Sequence, residues 1–115
     1  MTAAKLLRKY ARGGRDFRAL DLDAQMLELR GAVLAGADFS SSFIVADFRG
    51  ADLRGARSVR CNIKTCDFGN ADLRDADFSE AALDGAEFSG ARRGGANFAG
   101  ACDQGHMYGA GEVPL

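Results

Sequence analysis

The stretch Ala46-Asp47-Phe48-Arg49-Gly50-Ala51-Asp52-Leu53-Arg54-Gly55-Ala56 decides how this chain folds, because it repeats itself after every five residues. Working outward, a small residue recurs in that phase through Ala56, Cys61, Cys66, Ala71, Ala76, Ala81, Ala86, Ala91, Ala96 and Ala101. Two positions after most of these stands a large apolar residue: Phe48, Leu53, Ile63, Phe68, Leu73, Phe78, Leu83, Phe88 and Phe98, with Ser58 and Arg93 as exceptions. A period of five fits neither the 3.6 of an amphipathic helix nor the two of a strand. Self-similarity at a fixed short period signals a repeat architecture whose units bury their apolar faces by stacking.

Composition agrees. At 115 residues the chain is one domain in size, and 16 acidic against 15 basic side chains leave a net charge of -1, which announces neither a nucleic-acid binder nor a polyanion. Glycine reaches 15 residues while proline occurs once, at Pro114, and tryptophan is absent. No apolar run is long enough for a membrane span, and Lys5, Arg8 and Lys9 break up the N-terminus without a signal-peptide core behind them. Three cysteines form no even framework and suit a reducing compartment, so a cytoplasmic protein is expected, with no membrane association.

These blocks resemble the pentapeptide-repeat family, whose consensus is Ala, then Asp or Asn, then Leu or Phe, then two variable residues; the resemblance runs from about Phe17 to Ala101. It implies an all-β solenoid, a right-handed quadrilateral β-helix in which four pentapeptides make one square coil. Both the small and the large series would point inward. The expected core is therefore Phe39, Phe48, Leu53, Ile63, Phe68, Leu73, Phe78, Leu83, Phe88 and Phe98, with Ala46, Ala51, Ala71, Ala76 and Ala86 between them. Glycine or a small polar residue stands at each corner, as at Gly50, Gly55, Gly85, Gly90, Gly95 and Gly100.

Twenty residues per coil sort the inward residues into four sides. They read Phe48, Phe68, Phe88 and Tyr108; Leu53, Leu73 and Arg93; Ser58, Phe78 and Phe98; and Phe43, Ile63, Leu83 and Asp103. Stacked aromatics and leucines would fill a narrow core. Upstream, Leu29, Leu34 and Phe39 extend the first three sides, but Phe39 to Phe43 is four residues, which places a missing residue near Ser40, Ser41 and Ser42. Phe17, Leu22 and Leu27 keep the period in another phase, so the first coil is expected to be irregular and the whole to number four to five coils.

The ends need covers, since an open coil exposes apolar side chains and unpaired backbone. Residues 1–14 read as a capping α-helix: Thr2 as N-cap, Leu6, Leu7 and Tyr10 on one face, Gly13 as the stop. Residues 15–101 form the β-helix and 102–115 a capping or partly disordered tail. The tail either folds over the last coil through Met107 and Tyr108 or leaves that coil end as a homodimer surface. Arg93 and Asp103 would bury unpaired charge, so fraying or bulging is expected there. Ser58 is read either as a buried hydroxyl bonded to backbone or as a bulge that turns Val59 inward.

No chemistry is legible. Cys61, Cys66, Cys102 and His106 could be written as a zinc set, but Cys61 and Cys66 replace inward alanines while Cys102 faces out. His106 has no placed nucleophile or carboxylate pair, and Gly94-Gly95 lacks the Lys-Ser or Lys-Thr of a phosphate loop. No enzyme, metal or cofactor is expected.

Two surfaces remain as candidate interaction sites. One is acidic: Asp47, Asp67 and Glu87 form a column and Asp52 and Asp72 the next. The other is the basic N-terminal segment, with Lys5, Arg8, Lys9 and Arg12, where the first eighteen side chains carry +5. The acidic columns invite comparison with members of the resembled family that mimic DNA and inhibit gyrase. Strands about 4.8 Å apart make the rod about 22 Å long, and duplex DNA of that length carries on the order of 13 negative charges. Arg49, Arg54 and Arg74 offset the acids here. The expectation is a rigid module for an unknown protein partner, with DNA mimicry against gyrase or topoisomerase as the alternative and no direct nucleic-acid contact.

Overall fold

The structure, a computed structural model, describes residues 1–114. Its architecture follows from one backbone event repeated along the chain. Two residues after each inward large side chain the backbone enters the left-handed region, at Gly50 (φ 68°) and Gly55 (φ 65°) but also at Arg60, Thr65, Asn70, Asp75 and Glu80. A positive φ interrupts the extended chain and turns it, which costs glycine little and other residues about 1–2 kcal/mol. After four such corners the chain lies beside its own earlier course. Parallel bridges then join residues twenty apart, in the rows Asp47–Asp67–Glu87, Asp52–Asp72–Arg92, Arg57–Asp77–Asn97 and Asn62–Ala82–Cys102.

Each row is held from both directions. The Phe48 amide donates to the Asp67 carbonyl (2.8 Å) and the Asp67 amide to the Ala46 carbonyl (3.2 Å), and the same pattern recurs at Leu53, Phe68 and Phe78. Corners leave only about two residues per side for pairing, so most sides are single bridges. Longer strands are few: β1 (Asp21–Glu28) parallel to β2 (Phe43–Asp47), and β3 (Cys102–Asp103) antiparallel to β4 (His106–Met107).

Between the rows lies a single apolar core. Phe48, Phe68 and Phe88 stack nearly parallel with centroids 5.1 and 5.2 Å apart, as do Phe78 and Phe98 at 4.9 Å. Edge-to-face contacts from Phe68 to Phe78 and from Phe88 to Phe98, both 5.5 Å, lock these two columns across the centre. Leu53, Leu73, Ile63 and Leu83 are buried on the other two sides, with Ala46, Ala51, Ala71 and Ala76 filling the corners between columns. Ala86 and Ala96 are only half-buried in the last turn, whereas Ala91 and Ala101 of the same turn are buried.

The phase of the early turns differs from the sequence reading. Phe43 points outward, 44% exposed, and Ile44 takes the inward place on the Ile63 side at 2%. Phe39 to Ile44 keeps the five-residue step, with Ser42 as its small inward member. The Ser42 hydroxyl donates to the Phe17 carbonyl (2.7 Å) and accepts from the Leu20 amide (3.0 Å). The missing residue lies after Ile44 instead, where β2 runs through to Asp47 without a corner. Opposite it β1 does the reverse: Leu22 pairs with Ile44 and Leu27 with Ala46, so Ala24, Gln25 and Met26 bulge out, exposed. Leu29, Leu34 and Phe39 occupy the sides assigned to them, and Phe17 stacks on Phe39 at 5.3 Å.

At the N-terminus, α1 (Ala3–Ala11) starts where the Thr2 hydroxyl accepts the Lys5 amide (3.1 Å) and ends before Gly13 at φ 92°. Leu6 is fully buried in the core cluster, and the Tyr10 hydroxyl donates to the Ala35 carbonyl (2.7 Å). Lys9 donates to the Asp16 carbonyl and lies over the Phe17 ring.

At the irregular positions one expectation changes and one of two alternatives is excluded. At Arg93 there is neither fraying nor bulging: Asp72 still bridges Arg92, and the half-buried guanidinium donates to the Phe88 carbonyl (3.1 Å). At Ser58 the amides of Ser58 and Arg60 keep their bonds to Asp77 and Ser79, so no bulge forms and Ser58 stays inward. Val59 is buried on the outside, its amide donating to the Ser40 hydroxyl. Beyond Cys102 the chain reverses through Gln104 and Gly105 into β4, so Tyr108 leaves the Phe48 side and approaches Phe98 instead (6.2 Å). Tyr108, Val113 and the buried Pro114 pack at that end, whereas Met107 is 66% exposed.

Candidate functional site

The outward residues are placed by the same geometry. Positions immediately before and after an inward residue face the same way, so Asp-x-Arg across Phe17, Phe48, Leu53 and Leu73 puts a carboxylate and a guanidinium side by side. In Asp47–Arg49 one carboxylate oxygen accepts from the Arg49 amide (3.0 Å) and Nε (2.9 Å) while the other accepts from the terminal nitrogen (2.7 Å). Asp16–Arg18, Asp52–Arg54 and Asp72–Arg74 repeat it. Hydrogen bonding to the paired arginine holds the Asp16, Asp47 and Asp72 carboxyls at about 2, and holds Asp52 below its ordinary value for the same reason.

The carboxylates have a second task that the sequence reading missed. Asp38, Asp67 and Asp77 have no adjacent arginine, yet each still accepts the amide two residues on, at 2.8–2.9 Å, as Asn62 and Asn97 do. These bonds hold the chain as it enters the corner. The recurrence of both Asp and Asn at this position was the available signal, since an amide oxygen accepts as a carboxylate does but carries no charge.

Consequently the acidic columns are not open anionic stripes. Asp47 is 5% exposed, clamped by Arg49 with Arg30 at 3.6 Å, so it does not belong to an accessible surface. Asp52, Asp67 and Asp72 are half-buried and interleaved with guanidinium groups: Arg49 also reaches Asp67 (3.8 Å) and Arg54 reaches Asp72 (4.0 Å). Only Glu87 stands exposed. The result is two adjoining flat faces of alternating, mutually satisfied charge.

The basic segment is different. Lys5, Arg8, Lys9 and Arg12 line an open groove of about 470 Å³ along α1, and all four are exposed. Lys9 is committed to the Asp16 carbonyl; Lys5, Arg8 and Arg12 make no ion pair among the described residues. The cations beside Ser58 are partly spent, since Arg60 meets Glu80 at 3.0 Å and Lys64 meets Asp84 at 3.9 Å.

The structure does not bring the sulfur and imidazole groups together. Cys61 and Cys66 are buried and donate to the Ser42 (3.1 Å) and Ile44 (3.3 Å) carbonyls, and burial pushes both thiols up to about 12. Cys102 is half-buried in β3, and His106 is engaged by Glu112 (2.8 Å). Among the described residues no three His, Cys, Asp or Glu side chains are grouped to hold a metal, and no helix is long and apolar enough to cross a membrane.

Comparison with solved structures places this arrangement among known ones. The chain is similar to a pentapeptide repeat protein from the cyanobacterium Cyanothece 51142, with a TM-score of 0.74 at 20% identity over 79% of this chain and 61% of that one. It is also similar to a pentapeptide repeat protein from Nostoc Pcc 7120 (TM-score 0.54, 33% identity, 97% and 88% covered). A third, from the Arabidopsis thaliana thylakoid lumen, has a TM-score of 0.51 and 33% identity, with 74% and 66% covered. The chain thus spans less than two thirds of the Cyanothece and Arabidopsis proteins. No curated protein matches it. A family model described as pentapeptide repeats matches in eight copies over residues 27–57, 41–79 and 66–102, and the chain belongs to the pentapeptide repeat family.

Proposed function

We propose that the chain is a non-enzymatic, rigid protein–protein interaction module, wound as a right-handed quadrilateral β-helix of four to five coils with α1 as its N-terminal cap. The observation that carries this reading is the pair of flat faces on which Asp47, Arg49, Asp67, Asp52, Arg54, Asp72 and Arg74 are fixed by ion pairs and corner bonds. Side chains already immobilised lose little entropy on binding, so such a face is pre-organised for a complementary protein surface. Its net charge is close to balance, which disfavours mimicry of a DNA backbone.

Affinity capture from the source cells with the wild-type chain and an Asp67→Asn, Glu87→Lys bait, whose asparagine oxygen can keep the corner bond to Gly69 as Asn62 and Asn97 do at their corners, tests this. A partner retained by the first and lost by the second, at an unchanged unfolding midpoint, is expected. Identical captures would sink the side-face reading, and inhibition of gyrase supercoiling at micromolar chain would replace it with the DNA-mimic one.

A further inference from the structure

Between Leu22 and Leu27, β1 leaves the wall of the stack, because that step faces the shorter one from Ile44 to Ala46. A bulge gives up ladder pairing and re-aims side chains, and this one turns Met26 out to 56% exposure. Between the bulge and the start of α1 runs an open groove of about 490 Å³, lined by Met1, Ala4, Ala24 and Met26 and reaching the buried Leu22 and Leu27. Asp21 and Glu28 are the charged side chains of its lining, both exposed, and the exposed Asp23 stands on the bulge between them. Phe43, 44% exposed, is the ladder partner of Asp21 and stands beside this acidic rim.

The carboxylates of the rim are not spent on the fold. Asp21, Asp23 and Glu28 make no ion pair among the described residues. Arg30, two residues on from Glu28, contacts Asp47 instead (3.6 Å). The start of α1 is satisfied without them, the Lys5 amide by the Thr2 hydroxyl (3.1 Å) and the Leu6 amide by the Thr2 carbonyl (3.0 Å). Farther along the stack the Asp–Arg pairs neutralise the outward carboxylates in place; here unneutralised carboxylates and exposed apolar side chains share one groove.

We propose that this groove seats a segment of a partner protein in which an apolar side chain is flanked by lysine or arginine. The apolar side chain packs on Met26 and Ala24, where the flexible thioether adapts to its shape, and the flanking cations meet Asp21, Asp23 and Glu28. The sign of the rim disfavours a nucleic-acid strand or an anionic lipid surface, and the apolar floor adds a requirement that a polar cation does not meet. The proposal rests on the reading of the chain as a protein-interaction module, but it uses the N-terminal end of the stack rather than the faces of paired Asp and Arg.

Selection from a random peptide library displayed on phage against the full chain, followed by titration of the selected peptides, tests the proposal. Enrichment of peptides that combine an aromatic or aliphatic residue with lysine or arginine is expected. In a chain with isotope-labelled methionine methyl groups these peptides should shift the Met26 signal and leave that of Met107, in the terminal hairpin, unmoved. Met26→Ser and, separately, Asp21→Asn with Glu28→Gln should each weaken binding about tenfold at an unchanged urea midpoint. The Asp67→Asn, Glu87→Lys chain should bind the peptides as the wild type does, which separates this groove from the side faces. A library that yields no basic apolar peptides, peptides that shift Met107 in place of Met26, or affinities indifferent to both groove variants would overturn the proposal. So would a Met26 signal that shifts with the concentration of the chain alone, since that assigns the groove to a second copy. A loss of binding confined to the Asp67→Asn, Glu87→Lys chain would overturn it as well, because it moves the peptides to the side faces.

Discussion

At the residue scale the corners carry the fold. Gly50 sits at φ 68° with nothing within 4 Å of where a Cβ would project, so a substitution there meets a conformational cost and no clash. Gly50→Ala should therefore destabilise by about 1–2 kcal/mol, the cost of one left-handed L-residue, read from the urea midpoint. A loss of 4 kcal/mol or more would mean that space rather than φ governs the position. Asn70, Asp75 and Glu80 already occupy equivalent corners at φ 57–60°, so the fold tolerates at least that cost per corner. The sequence showed glycine at the corners; that charged residues also stand there, at that cost, depends on the surrounding ladder, which over-determines the turn.

At the scale of the element, each outer face is an array of Asp-x-Arg units. Their carboxyls are held below the unfolded-state value of about 3.9, with Asp47 and Asp72 at about 2. A carboxyl depressed in the fold stabilises it at pH values above the unfolded value, and that contribution disappears as pH falls through the folded one. Stability should accordingly decline between about pH 5 and pH 2, followed as the urea midpoint. Arg49→Met with Arg74→Met should flatten that decline by removing the partners that depress Asp47 and Asp72. An unchanged slope in the double variant would show that the pairs contribute nothing to acid stability. Alternating Asp and Arg around an apolar residue was legible as charge balance; the corner bond from each Asp or Asn oxygen was not, because it depends on the backbone coming back toward the side chain.

At the scale of the whole molecule, a stack in which each turn covers the next leaves little room for local opening in its middle. Cys61 and Cys66 lie there, buried, with thiols pushed up to about 12, while Cys102 is half-buried near the last turn. Since the thiolate is the reactive species, native protein at pH 8 should give one fast thiol equivalent with a disulfide reagent. The other two should react only at the global unfolding rate. Three fast equivalents would show that the middle turns open independently.

The five-residue period by itself determined the inward series from Ala46 to Ala101 and, through the twenty-residue sort, which side chains stack on which, because register in a regular stack is arithmetic. Separate local signals, Thr2 as N-cap and the stripe of Leu6, Leu7 and Tyr10, located the helix. Only the tertiary structure decided where regularity is interrupted. Phe43 and Ile44 are both apolar neighbours, and what selects Ile44 is Ser42 bonding to Phe17 and Leu20 a turn away. Arg93 likewise keeps the ladder with the Phe88 carbonyl accepting from its guanidinium. The charge columns divide in the same way: the Asp–Arg pairs join residues two apart and are local, whereas the contacts from Arg30 to Asp47, Arg49 to Asp67 and Arg54 to Asp72 exist only once four corners have brought the chain back beside itself.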